Sequence, residues 1–341
     1  MKRIGNIFDE IISIDNLRLA HFEAKSSRKP RRRKGAERFE LNLEENLKRL
    51  HDELANETWM MHPYRCMVRV ERGKEREIFY SPEHEDSVVQ HAILRTLGRR
   101  LEKTFVRDVF ASIPGRGTHD GVMRVKRFLQ SVPRDVPCYI GKYDIRKFYK
   151  SINHDALKWS VSAKIKDVKV VRLIERIIDS HADGIPIGNS ISPMLANLHL
   201  SKLDHAAKEI FRISGYFRYL DDIVAIEFGA DAKRKLKTFA EYLKKHLAWL
   251  NLELKPNGQI FPIERHGLDF LGYVFTRSKI RVRKKTERRF RRAVRNFKSK
   301  PTVRNRMTLS SYWGIIKWIS KPEQFWFTFF NNHLTELEVS L

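Results

Sequence analysis

Three aspartates in apolar surroundings constrain this 341-residue chain more than any other feature. Asp144 sits inside YIGKYDIRKFY, and Asp221 and Asp222 sit inside FRYLDDIVAI. The flanks of the pair have the length and the aromatic and β-branched content of two short strands, so Tyr216 to Phe228 is predicted as strand, tight turn, strand. Such a hairpin carries consecutive carboxylates at its tip, one toward each face. Tyr139 to Ile145 reads as a buried strand that delivers Asp144. Sinking carboxylates into apolar surroundings costs several kcal/mol each unless cations compensate them. In a chain whose formal charge is +26, folding alone gives no reason for this set. One aspartate in a turn would be unremarkable; the set in this order is the signal. Hard oxygen donors at a strand edge and a hairpin tip suit two divalent ions, with Mg²⁺ the natural occupant. Two such ions fit phosphoryl transfer, lowering the pKa of an attacking hydroxyl and stabilising charge on the transferred phosphorus and its leaving group.

The charge surplus is unevenly spread. From Lys25 to Arg38 there are eight basic residues and one acid, around the run Arg31, Arg32, Arg33, Lys34. From Arg277 to Arg306 there are fifteen basic residues and one acid. Clusters of this kind bind phosphate backbones, with an affinity that falls steeply with salt; the bland alternative is a solvated basic face. At 42% hydrophobic residues the chain has ample material for a core and is not a disordered polyelectrolyte. No apolar run reaches the ~18 residues of a membrane span. The two cysteines, Cys66 and Cys138, exclude a disulfide scaffold and a four-cysteine zinc site, and the thirteen histidines show no zinc spacing. A reducing, cytoplasmic location is expected.

Hydrophobic periodicity predicts helices over 1–24, 39–56 and 155–180, and one from 231 to 249 with Leu236, Phe239, Leu243 and Leu247 on one face. Met67 to Val70 and Glu77 to Tyr80 read as strands around a charged turn. Ser112 to Asp120 is a loop by composition, followed by a helix from Gly121 to Leu129. Gly184 to Asn189 is a loop, and Ser192-Pro193 starts a long helix. Asn251 to Leu254 and Leu268 to Phe275 are further expected strands. The remainder is basic and helical, then aromatic.

These motifs together resemble the prokaryotic reverse transcriptases. Asp144 and Ile145 followed by Phe148 and Tyr149 match the family's first catalytic motif. Tyr219, Leu220, Asp221 and Asp222 match its Tyr-x-Asp-Asp hairpin. Gly184 through Asn189, with Ser192-Pro193 and Ala196-Asn197, match the loop and helix between them, and Leu268 through Tyr273 match the element beyond the hairpin. Four motifs in order and in register are far more specific than any one alone. The resemblance points to the diversity-generating retroelement class. Intron and retron enzymes usually carry Gln where this chain has Ile187. Val88 to Ala92, Gly117 to Gly121 and Ser311 to Gly314 also look like that class. Ser192-Pro193 departs from its usual Ser-Gln, a form commoner among introns, retrons and phage-defence enzymes.

The resemblance implies an α+β right-hand polymerase. A helical extension and basic arm would span 1–39, fingers 40–140, an antiparallel-sheet palm with part of the fingers 141–275, and a short helical thumb 276–341. It implies catalysis by Asp144, Asp221 and Asp222, with Asp144 and Asp221 as the principal metal ligands, Asp222 near the ions and the carbonyl of Ile145 as a further ligand. Tyr149, five residues after Asp144, would lie beneath the incoming sugar and exclude a 2′-hydroxyl, with Phe148 beside it. Arg76, with Lys74 as second candidate, would reach the triphosphate. Ile187 and Gly188 would lie near the templating base pair, where an aliphatic side chain cannot donate the hydrogen bonds of Gln. Arg116 would approach template phosphate, and Arg281, Arg283, Lys284, Lys285, Arg288 and Arg289 would contact the duplex backbone by shape. Implied partners are dNTPs, a structured template RNA with its RNA/cDNA duplex, and a small basic accessory-variability protein, with no membrane. The product would be cDNA mutagenised at adenines. The competing readings are a phage-defence reverse transcriptase, an intron-maturase-like protein and a non-catalytic RNA-binding protein.

Overall fold

The computed structural model describes residues 3–27, 34–71 and 74–330. Arg31, Arg32 and Arg33 of the basic arm lie outside the described residues. Two units emerge, each assembled from separated stretches of chain.

The first unit comprises 1–113, 144–212 and 241–256. It is mainly helical, because its apolar residues recur at helical spacing. Leu47, Leu50 and Leu54 line the buried face of the helix Leu43–Ala55, and Val170, Leu173, Ile174, Ile177 and Ile178 that of Val168–Asp179. The helix Ser192–His205 is different. Eleven of its fourteen residues are buried, so it runs through the interior, with Pro193 in its first turn. The expected helix over 155–180 is two helices, His154–Lys164 and Val168–Asp179. The break falls at Asp167, whose carboxylate accepts the backbone N–H groups of Ile7 and Phe8 at 2.9 and 3.1 Å. A two-stranded ribbon, β1 (Arg65–Glu71) and β2 (Lys74–Tyr80), completes this unit, in register from Arg65–Tyr80 to Glu71–Lys74.

The second unit comprises 114–143, 213–240 and 257–341. Its sheet is built from β3 (Cys138–Asp144), β4 (Gly215–Tyr219), β5 (Asp222–Phe228) and β6 (Gln259–Pro262), in the order β4-β5-β3-β6. The last residue of β3, Asp144, already belongs to the first unit. A second sheet holds β7 (Leu268–Phe270), β8 (Tyr273–Phe275) and β9 (Ile280–Val282). The expected strand Leu268 to Phe275 is thus a hairpin, folded at Leu271 and Gly272, both at positive φ. Asn251 to Leu254 forms no strand and contributes only a bridge from Leu254 to Ile145. Strands β6 and β9 are only four and three residues long, too short for periodicity to reveal them, although β9 alternates buried and exposed residues. The helix expected from Gly121 starts earlier and spans Thr118–Ser131. Three helices, Lys284–Ser299, Val303–Ile316 and Pro322–Phe330, end the described chain. The terminal aromatics mostly pack: Phe290 is fully buried, with ring centroids of Trp326, Tyr312 and Phe329 at 5.0, 5.6 and 5.6 Å. Among the described residues no helix is long and apolar enough to cross a membrane.

Candidate functional site

The paired aspartates owe their position to the strands around them. Four of the five residues of β4, and Ile223 through Glu227 of β5, are buried, so the hairpin is anchored along both strands and its polar tip is left at the end. Tyr219 pairs with Asp222, which leaves Leu220 and Asp221 as a two-residue turn. Leu220 takes φ of +53°, a conformation β-carbon sterics disfavour. Arg218, with 0% exposure, donates from Nη1 to the Leu220 carbonyl at 3.0 Å and so fixes that turn from beneath. A charged side chain this deep was not singled out from sequence, although an arginine between apolar strand residues was a usable signal. The Oδ1 atom of Asp222 is shielded from solvent and lies 3.9 Å from Lys142 Nζ. Lys142, on β3, also donates to the carbonyl of Asp269.

Asp144 ends β3. Its Oδ1 is shielded and forms an ion pair with Lys255 Nζ at 2.6 Å, while the Lys255 N–H donates to the Asp144 carbonyl at 2.8 Å. Together with the Arg146 N–H to Glu253 carbonyl bond at 2.8 Å and the Ile145–Leu254 bridge, this laces 253–255 along 144–146. Ile145 is wholly buried. Lys255 has no sequence signature, since a lysine before a proline reads as a turn. Among the described residues, no group of three or more His, Cys, Asp or Glu side chains is arranged to hold a metal ion. In chemical type the donors do fit a hard dication: two carboxylates each present a shielded oxygen to a lysine ammonium, the charge a cation would supply.

Beyond Asp144 the chain turns at Lys147, φ +45°, into the short helix Phe148–Ser151. Phe148 is buried; Tyr149 is half-buried, its ring edge-on to Phe148 with centroids 5.8 Å apart. The Tyr149 carbonyl accepts the Ile185 N–H at 2.9 Å. A β-carbon on Gly184 would stand 2.1 Å from that carbonyl, and φ there is +61°, so only glycine fits. The Ile187 carbonyl accepts the Phe79 N–H of β2 at 2.8 Å, and a β-carbon on Gly188 would meet the Phe79 carbonyl at 2.4 Å. The loop 184–189 is therefore tied to the Tyr149 segment and to β2. It leaves Ile187 half-buried and Gly188 exposed. Tyr149, Ile187 and Gly188 are thus tied into one local framework.

Arg76 is exposed on β2, directly across from Arg69 on β1, a like-charge pairing that an anion would relieve. The Lys74 side chain lies outside the described residues. Arg116 sits half-buried in the loop before Thr118–Ser131. Farther along the second unit, Arg281, Arg283, Lys284 and Lys285 line one cavity of about 720 Å³ together with Asp269 and Phe325. Arg283 is already engaged there by Asp269 at 2.6 Å. Arg288 and Arg289 are exposed on Lys284–Ser299. Both cysteines are free thiols; Cys138 is buried, and burial pushes its pKa up to about 11.

These features have relatives. Residues 72–275 match the family described as Reverse transcriptase (RNA-dependent DNA polymerase). Protein YkfC of Escherichia coli is 24% identical over 287 residues, which cover 71% of this chain and 74% of that protein. The group II intron-encoded protein LtrA of Lactococcus lactis subsp. cremoris is 26% identical over 172 residues, covering 47% of this chain and 28% of that protein. Telomerase from Candida Tropicalis, solved in complex with a TWJ fragment of telomeric RNA, superposes with a TM-score of 0.52 at 13% identity, over 76% of this chain and 54% of that one. That last likeness is one of fold alone. The family match spans more than half of the chain and contains Asp144, Tyr149, Ile187, Gly188, Asp221 and Asp222. With its mixed helices and antiparallel sheets, the chain belongs to the reverse transcriptase family.

Proposed function

We propose that this protein is an RNA-directed DNA polymerase that copies a structured template RNA into cDNA, and that it serves a diversity-generating retroelement. The observation that carries the polymerase reading is the placement of Asp144 at the end of β3 and of Asp221 and Asp222 at the tip of the β4–β5 hairpin, with β3 beside β5 in the sheet. Asp144 and Asp221 would hold two Mg²⁺ ions, with Asp222 and the Ile145 carbonyl beside them. When bound, the ions would supply charge stabilisation for nucleotidyl transfer. The chain's own residues do the remainder. Tyr149 excludes the 2′-hydroxyl of an incoming nucleotide by steric overlap, with Phe148 packed behind it. Arg76, and Lys74 with it, meet the triphosphate. Arg281, Lys284, Lys285, Arg288 and Arg289 follow the backbone of the RNA/cDNA duplex, and Arg116 approaches the template.

In this reading the fingers lie within 40–140, the palm within 141–275 and the thumb from 276 onward, and the enzyme works in the cytoplasm with an accessory-variability protein. Ile187 supports the diversity-generating class, because it removes the donors that Gln would direct at the nascent pair. Adenine-directed error follows from that loss. Ser192-Pro193 favours a second reading, a phage-defence reverse transcriptase using the same chemistry.

The test is Mg²⁺-dependent dNTP incorporation on a primed RNA template, with the products sequenced. Wild type should extend the primer with errors concentrated opposite template adenine, and Ile187→Gln should lower that error severalfold. Extension with evenly spread errors would remove the diversity-generating class and favour defence. An adenine error rate unchanged in Ile187→Gln would remove the role given to Ile187.

A further inference from the structure

The loop that bears Ile187 and Gly188 is held by a polar relay that the polymerase reading leaves unused. Gln90 lies in the helix His84–Ile93 and is 2% exposed. Both ends of its amide are spent on the two residues that follow Gly188. Its Nε2 donates to Asn189 Oδ1 at 2.8 Å, and its Oε1 accepts the Ser190 N–H at 2.9 Å. Asn189, 8% exposed, passes the relay on by donating from Nδ2 to the Tyr64 hydroxyl at 2.7 Å. The Ser180 hydroxyl donates to the Ile177 carbonyl at 2.6 Å, so the Tyr64 hydroxyl, 3.2 Å from Ser180 Oγ, is the donor in that pair. The direction is therefore fixed from Gln90 to Asn189 to Tyr64 to Ser180 to the end of the helix Val168–Asp179. Burial raises the Tyr64 pKa above its ordinary value.

This arrangement reaches three elements that are far apart in sequence and converges on one short loop. Buried amides with both ends satisfied are rigid, because leaving either end unpaired carries the full desolvation cost. The Phe79 N–H in turn holds the Ile187 carbonyl at 2.8 Å. The backbone is thus held by β2 at Ile187 and by Gln90 at Asn189 and Ser190, immediately after Gly188.

We propose that Gln90, Asn189 and Tyr64 are positioning residues that set nucleotide discrimination by fixing how firmly the Ile187–Gly188 backbone bears on the nascent base pair. The inference rests on the reading that this loop lies beside that pair. A loop held in one place penalises a misshapen pair; a loop free to yield accommodates it. Breaking the relay should therefore act on the choice between nucleotides more than on the chemical step.

Single-nucleotide incorporation on a primed RNA template, with correct and mismatched dNTPs, tests this. Gln90→Leu should raise KM for the correct dNTP about tenfold, leave kcat within about twofold, and shrink the correct-to-mismatch ratio of kcat/KM about tenfold. Tyr64→Phe, which removes one link, should shrink it about threefold. The double variant should match Gln90→Leu alone, since both break the same relay. Asn189→Asp removes the donor to Tyr64 and draws the Tyr64 proton away from Ser180, so it should shrink the ratio at least as much as Tyr64→Phe. If Gln90→Leu fails to fold, Tyr64→Phe decides alone. A wild-type ratio in folded Gln90→Leu and Tyr64→Phe, alongside an altered ratio in Ile187→Gln, overturns the relay and leaves the loop's place intact. An unaltered ratio in Ile187→Gln as well overturns the placement of the loop itself.

Discussion

The β4–β5 hairpin and the loop 184–189 both lie within the family match, and they are built in opposite ways. The hairpin is local. Two strands pair from Gly215–Ile226 to Tyr219–Asp222, and Arg218, whose guanidinium donates to the turn's Leu220 carbonyl, comes from the hairpin itself. The loop is made by distant residues. Its bonds run to Phe79, Gln90, Tyr149 and, through Asn189, to Tyr64. Self-contained geometry suits side chains that must face fixed charges. A loop held by several elements can instead be tuned by changes far from it, and that suits control of selection.

The sharpest break between the two regions is chemical. Asp221→Ala should abolish primer extension, a loss of about 10³-fold or more if the carboxylate holds a catalytic dication. Its thermal midpoint should stay within a few degrees of wild type, because the turn is held by backbone and by Arg218. An unchanged extension rate would remove Asp221 from catalysis.

Gly184→Ala should do the reverse, injuring stability first. The new β-carbon would stand 2.1 Å from the Tyr149 carbonyl at positive φ, a conflict that backbone must absorb, costing about 2 kcal/mol or more. Gly314→Ala is the control, with nothing within 4 Å of the added carbon. Urea titrations of the two variants should separate clearly, and equal midpoints would show that the loop is not clamped.

A third region calibrates both. Arg288→Ala with Arg289→Ala removes two exposed charges on the helix Lys284–Ser299, so affinity for a primed RNA template should fall and its salt slope should flatten by about one to two units. Binding measured from low to moderate salt checks this, and an unchanged slope would place the duplex elsewhere.

The smallest effect concerns pH, on the loop side only. His199 lies in the buried helix that follows the loop, and burial, with the nearby His246, holds its pKa down to about 4. The folded protein refuses a proton that the unfolded chain accepts near its usual ~6.5. Stability from this residue is full above that value and declines as the pH falls toward 4. Thermal midpoints between pH 7 and pH 4 should drop less steeply in His199→Asn than in wild type, while a parallel decline would assign the loss to other groups.

Sequence made one region far more legible than the other. The hairpin was readable because its strands, turn and acids are contiguous, and β-strand alternation and turn chemistry act over two to five residues. The loop was readable only as a loop with a glycine on each side of Ile187. Gln90 was read only as part of the run Val88 to Ala92, and nothing in that run names Asn189 as its partner 99 positions away. Lys255 was invisible for the same reason, being an ordinary turn residue until the chain brings it to Asp144. The terminal aromatic cluster reads as packing from its composition, and the structure puts Phe290 among its rings.

By itself the amino-acid sequence determined the acids, their order, the strands that carry them, the basic surface and the family these imply, because each rests on local periodicity or on residue type. Tertiary structure alone decided which lysine faces which carboxylate, which side chains grip the loop, and why Gly184 and Gly188 tolerate no side chain. Those facts depend on atoms that meet at about 3 Å after the chain has folded, and directional hydrogen bonds at that range leave no trace in spacing along the chain.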